Sequence, residues 1–162
     1  MAPITIRPAT TGDASALAAD RVAMFGDAGP SISTEQAEIL LTETALAVSL
    51  GIEAGTALAW IAESEDGARL GSTVTCLVQR LPTPDNRTGR ESFVAQMYVV
   101  PDARGRGVGR RLLEATVAES RRIGLAVIRL RSSEAGRPLY LRAGFRALPD
   151  FMQLSLGAPD AF

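Results

Sequence analysis

Residues 101–111 read PDARGRGVGRR. Gly105, Gly107 and Gly109 alternate with other residues, and Arg104, Arg106, Arg110 and Arg111 fall within the same short stretch. Glycines spaced this way remove side chains, so main-chain N–H groups can come close to an anion. An apolar run, FVAQMYVV at 93–100, precedes the stretch, and a helical pattern, LLEATVAESRRIG at 112–124, follows it. The turn therefore opens a helix, and a helix N-terminus adds unpaired N–H groups and partial positive charge. Together these features suit a bulky anion such as a diphosphate.

Two familiar phosphate loops fit poorly. A Walker loop ends in Gly-Lys-Ser or Gly-Lys-Thr, and all 17 basic residues of this chain are arginine. A dinucleotide fingerprint needs G-x-G-x-x-G in an early strand-helix turn, with an acid about twenty residues on. Here the glycines stand at 105, 107 and 109, in a late turn with no fitting acid. The chain also has no histidine and one cysteine, Cys76. That removes Ser-His-Asp triads, the usual zinc ligands and internal disulfides, so proton transfer must rely on Tyr, Glu, Asp, water or the backbone.

With 162 residues, 46% hydrophobic and 22% charged, the sequence suits one soluble domain spanning 1–162, with a core of Leu, Val, Ile and Ala. A lone cysteine fits a reducing compartment, and MAPITIRPAT has no apolar signal core, so a cytoplasmic protein without a membrane span is expected. Net charge is −1, unevenly spread: residues 104–146 balance to +8 and the remainder to −9. The C-terminal part is thus the candidate anion-binding half, and the rest the candidate host for a cation.

The elements that must carry the turn follow from periodicity. ITIRPAT alternates as a first strand, and Ala14, Leu17, Ala18, Arg21, Val22 and Phe25 recur at helical spacing. Ser33 followed by Gln36 is a capping box opening a second helix through Ile39, Leu40, Leu46 and Leu50. TALAWIAES and RLGSTVTCLVQRL flank a Glu-Asp-Gly turn as a hairpin, and PTPDNRTGRE is a loop. Phe93 to Val100 forms the next strand. The helix after it buries Leu112, Leu113, Thr116, Ser120 and Ile123 and is capped by Gly124, before the strand AVIRL. This strand-helix-strand unit predicts a parallel pair. A short helix over 137–142 and strands ending near FMQLSL complete an α/β order, β-α-α-β-β-β-α-β-α-β-β, in one mixed sheet flanked by helices.

Arg104-x-x-Gly107-x-Gly109, after an apolar strand ending in proline, resembles the [Q/R]-x-x-G-x-[G/A] turn of the GCN5-related N-acetyltransferases, the GNAT superfamily. RPLYLRAGF at 137–145 resembles that family's second signature, at a compatible distance. The resemblance implies acetyl-CoA as cosubstrate, no metal, and a sheet splayed between its fourth and fifth strands. It implies that backbone groups of Met97, Tyr98 and Val99 pair with the pantetheine arm as an added strand would. The residues Arg104, Gly105, Arg106, Gly107, Val108, Gly109 and Arg110 would hold the pyrophosphate.

On the same resemblance, an amine attacks the thioester directly through a tetrahedral intermediate, an N–H near Val99 stabilises the oxyanion, and Tyr140 protonates the departing thiolate. Relatives often carry a glutamate base on a central strand, but one such position holds Ile128. Glu91 is then the leading candidate, with Asp27 and Glu35 as others. An asparagine common before the second signature is replaced by Ser132 and Ser133, and Ser133 is assigned to the cofactor. The acidic region of Asp27, Glu35 and Glu91 favours a cationic amine acceptor. A non-catalytic acyl-CoA sensor on the same fold is the alternative. Nucleic-acid binding is disfavoured by the net charge and the scarcity of aromatics. A homodimer is compatible with the fold.

Overall fold

A computed structural model describes residues 3–28, 31–148 and 152–154. The strands are β1 (Ile4–Pro8), β2 (Ala57–Ser64), β3 (Arg69–Gln79), β4 (Arg90–Val99) and β5 (Val127–Leu130). The helices are α1 (Ala14–Ala28), α2 (Thr34–Glu53), α3 (Val108–Arg122) and α4 (Arg137–Arg142). One sheet runs β1-β2-β3-β4-β5, antiparallel throughout except for the parallel β4–β5 pair. The expected strands after α4 are not seen in what is described: residues 145–148 and 152–154 are irregular, and the rest of FMQLSL lies outside the described residues.

Local chemistry explains the boundaries. At the start of α2, Ser33 Oγ accepts from Gln36 N–H at 3.1 Å while Gln36 Oε1 accepts from Ser33 N–H at 2.8 Å, the expected reciprocal box. The end of α3 is closed by Gly124, where Gly124 N–H bonds Arg121 O and Leu125 N–H bonds Ser120 O. α3 buries Leu112, Leu113, Thr116 and Ser120 against the sheet, with Ile123 half-buried at its end.

The sheet has a core on each face. Ala14, Leu17, Val48, Ala59, Ile61 and Val74 pack together under α1 and α2. Ile4, Ala62, Leu70, Ala103, Val108 and Leu112 pack together under α3. The face of α2 is the exception to the sequence reading, because Thr44 and Val48 are buried while Ile39, Leu46 and Leu50 are each more than half exposed. α2 carries two apolar stripes, and the one with Thr44 and Val48 is turned inward.

β4 changes character midway. Its partners on β3 run Gln79↔Arg90 to Thr75↔Val94 and resume at Val74↔Gln96, leaving Ala95 as a bulge. Parallel pairing with β5 stops at the same place, Val94↔Leu130. A bulge bends its strand and increases local twist. From Ala95 to Val99, β4 therefore leaves β5 and the sheet splays open.

Candidate active site

The open half of β4, the turn after it, α4, residues 133–136 and the end of α1 enclose a cleft of about 1400 Å³. That exceeds the roughly 300–1,000 Å³ of a pocket for one drug-sized ligand. Met97, Tyr98 and Val99 form one wall, Ser133, Leu139 and Tyr140 the other, and Gly105, Gly107, Val108, Gly109 and Arg110 close one end.

The turn is built to leave its amides free. A short 3-10 turn over Pro101–Ala103 leads to Arg104, whose N–H bonds Pro101 O at 3.1 Å. Among the described residues, no protein acceptor is bonded by the amides from Gly105 to Arg110; the next amide, Arg111 N–H, bonds Gly107 O. Gly105 and Gly107 have φ of 75° and 84°, the left-handed region that favours glycine, and Gly107 is the N-cap of α3. Gly109 faces both walls, and a Cβ there would stand 3.4 Å from Leu139 Cδ2 and 3.6 Å from Val99 Cγ2, ordinary contact distances.

Tyr140 is buried on α4, its ring edge-on to Phe145 at 5.7 Å between centroids. Its hydroxyl makes no hydrogen bond among the described residues, and burial pushes its pKa up, so the proton stays on at neutral pH. Ser133 Oγ accepts from Gly136 N–H at 3.1 Å, opening α4, and keeps its own proton to donate. Across the cleft, Asp27 pairs with Arg104, whose guanidinium lies 5.9 Å from the centre of the Tyr98 ring and donates to Val99 O at 3.0 Å. The turn is thus tied to α1 through one side chain.

A model of the acetyltransferase (GNAT) domain matches residues 55–147, more than half of the chain. The chain belongs to the GNAT acetyltransferases. It is an acetyl-CoA-dependent acyltransferase. The GNAT fold is shared with a predicted acetyltransferase of Clostridium acetobutylicum crystallised with acetyl-CoA, at 25% identity and TM-score 0.86, covering 95% of this chain and 97% of that one. A GCN5-related N-acetyltransferase of Ralstonia eutropha is similar at 25% identity and TM-score 0.85, covering 96% and 100%. A comparison with curated proteins returns no match.

Against this GNAT frame the expected site residues divide. The cleft gathers Met97, Tyr98, Val99, Arg104, Gly105, Gly107, Val108, Gly109, Arg110, Ser133, Tyr140 and Asp27. The expected Arg106 is half-buried outside the cleft wall, and Glu35 is exposed in the first turn of α2. Glu91 is also outside that wall, buried at the far end of β4 with Arg80 on one carboxylate oxygen and Arg129 on the other. Burial alone would raise its pKa, but the hydrogen bonds from Arg80 and Arg129 outweigh it and hold the carboxyl below its usual range. Both oxygens are engaged, which suits a strand clasp better than a base.

The sequence reading missed Glu114, Val117 and Arg121, which line the cleft with Arg110 from one stripe of α3, and Arg142 from α4. The spacing 110, 114, 117, 121 was a signal for them, since residues three and four apart share a helix face. No helix among the described residues is long and apolar enough to cross a membrane.

Proposed function

We propose that this acetyltransferase acts on a primary amine, by direct attack on the acetyl thioester, with Tyr140 as general acid. The observation that carries the reading is one cleft with unbonded amides at a helix N-terminus at one end and a free, protonated phenol on a wall. The residues present fit acetyl-CoA: the amides from Gly105 to Arg110 would take its diphosphate, and the open edge of β4 at Met97–Val99 its pantetheine arm. Bound there, acetyl-CoA supplies an activated acetyl group.

The amine nitrogen forms a bond to the thioester carbonyl carbon, and a β4 N–H near Val99 stabilises the oxyanion. As the carbonyl re-forms, the carbon–sulfur bond breaks and the thiolate takes the Tyr140 proton. A thiol has an ordinary pKa near 8.5 and a tyrosine near 10, and burial holds Tyr140 higher still. The amine's excess proton leaves to water, and solvent restores the phenol. Glu134, a cleft-wall carboxylate without an ion pair among the described residues, favours an acceptor that arrives as a cation, whereas Asp27 is already paired with Arg104. The lone cysteine fits a reducing compartment, which on our reading is the cytoplasm.

The test supplies acetyl-CoA with a panel of primary amines and follows free thiol with a disulfide reagent. Thiol release with at least one amine, matched by acetylated product, is expected. Tight CoA binding with no release across the panel would replace the reading with a non-catalytic acyl-CoA binder.

A further inference from the structure

Arg21 sits on α1, on the opposite face of the sheet from α3, and is half-buried. An arginine withdrawn from water needs acceptors for its N–H groups, most often a carboxylate when it is fully buried. Among the described residues Arg21 has no ion pair, and burial lowers its pKa, with only Cys76 acting weakly the other way. What it does instead is specific: Nη1 donates to Ala95 O at 2.9 Å, and the guanidinium carbon lies 5.2 Å from the centre of the Phe25 ring.

Ala95 is the bulge residue, the one position of β4 that skips its partner on β3. A bulge leaves backbone groups without ladder partners, and a buried one needs another partner. Gln96, the next residue, is also held from α1: its amide nitrogen donates to Leu17 O at 2.9 Å and to Ser72 Oγ at 3.2 Å. Ser72 in turn donates to the buried Asp20 at 2.7 Å. α1 therefore grips β4 at two successive residues, at the point where β5 is left behind.

We propose that Arg21 is a positioning residue for the acyl-CoA site: by holding the carbonyl of the bulge it keeps β4 turned away from β5 and the pantetheine edge open. It touches neither cosubstrate nor reacting atoms and acts through the β4 backbone. The charged donor is suited to the task, since a hydrogen bond to an ionised group is about twice as strong as a neutral one. The Phe25 ring, within cation–π distance, adds a second contact for the guanidinium. The inference rests on the acetyl-CoA assignment, and the experiment separates the two.

Calorimetric affinities are measured for CoA and for its nucleotide fragment, which keeps the diphosphate and lacks the pantetheine arm. Arg21→Met is expected to weaken CoA about tenfold, the size of one lost charged hydrogen bond, with the fragment within about twofold of wild type. Arg21→Lys, which keeps a charged donor, should recover part of the loss. A role in stability alone would lower both affinities in parallel or neither, and either outcome overturns the proposal. Should the Met variant fail to fold, Gln96→Leu cuts the adjoining tie and is read by the same ratio; an unchanged ratio there also overturns it. Failure of the wild type to bind CoA would instead sink the acetyl-CoA assignment.

Discussion

The two halves of β4 have opposite fates. From Glu91 to Val94 the strand is paired on both sides and its one carboxylate, Glu91, is clasped by Arg80 and Arg129. Past the bulge, from Gln96 to Val99, it keeps only β3, and the turn it feeds leaves amides without protein partners among the described residues. Folding normally satisfies backbone donors within the protein. The difference teaches that polar groups at the closed end serve the sheet, while those at the open end are the ones our proposal gives to acetyl-CoA.

The sharpest way to break the comparison is to remove one atom at the open end. Tyr140→Phe should lower kcat by about 10²–10⁴-fold, the usual worth of a general acid, with CoA affinity unchanged by calorimetry. A variant as fast as wild type would leave the phenol a packing residue.

The next largest effect separates amides from side chains. Gly107→Glu puts a carboxylate at the diphosphate and strains a left-handed residue, so CoA binding should fall by about 100-fold or more. Arg106→Ala, outside the cleft wall, should change it by less than about twofold. Equal losses would mean that arginine charge, rather than backbone geometry, holds the anion.

At the closed end the expected cost is in stability. Glu91→Gln should destabilise the fold by about 2 kcal/mol at neutral pH, less than a fully buried broken pair because Arg80 stays half-exposed, and leave CoA affinity alone. Its carboxyl has a folded pKa below the unfolded value of about 4.3, so its contribution is present above that value and lost as pH falls through the folded one. Denaturation midpoints of wild type and variant should therefore converge in acid. A large drop in kcat without loss of stability would return Glu91 to the list of bases.

Much of this was legible in the chain itself. The capping box at Ser33, the hairpin, the glycine turn and the stop at Gly124 are local, and each is written in neighbouring residues. Less legible was anything that depends on which face meets which. Ile39, Leu46 and Leu50 have the periodicity of a core stripe, yet α2 buries Thr44 and Val48, since hydrophobic spacing names stripes and not their partners. Glu91 looked available beside the central strand because its two arginines come from β3's end and from β5, eleven and 38 residues away.

The sequence by itself determined where the glycine turn lies and that, with no histidine in the chain, proton transfer falls to Tyr, Glu, Asp, water or the backbone, because glycine conformation and residue chemistry are local properties. Only the tertiary structure decided where β4 parts from β5, that Arg21 reaches the bulge carbonyl, and that Glu91 is sealed between two guanidiniums. Those outcomes depend on contacts between residues far apart in the chain, and such contacts exist only once the sheet and its helices have packed.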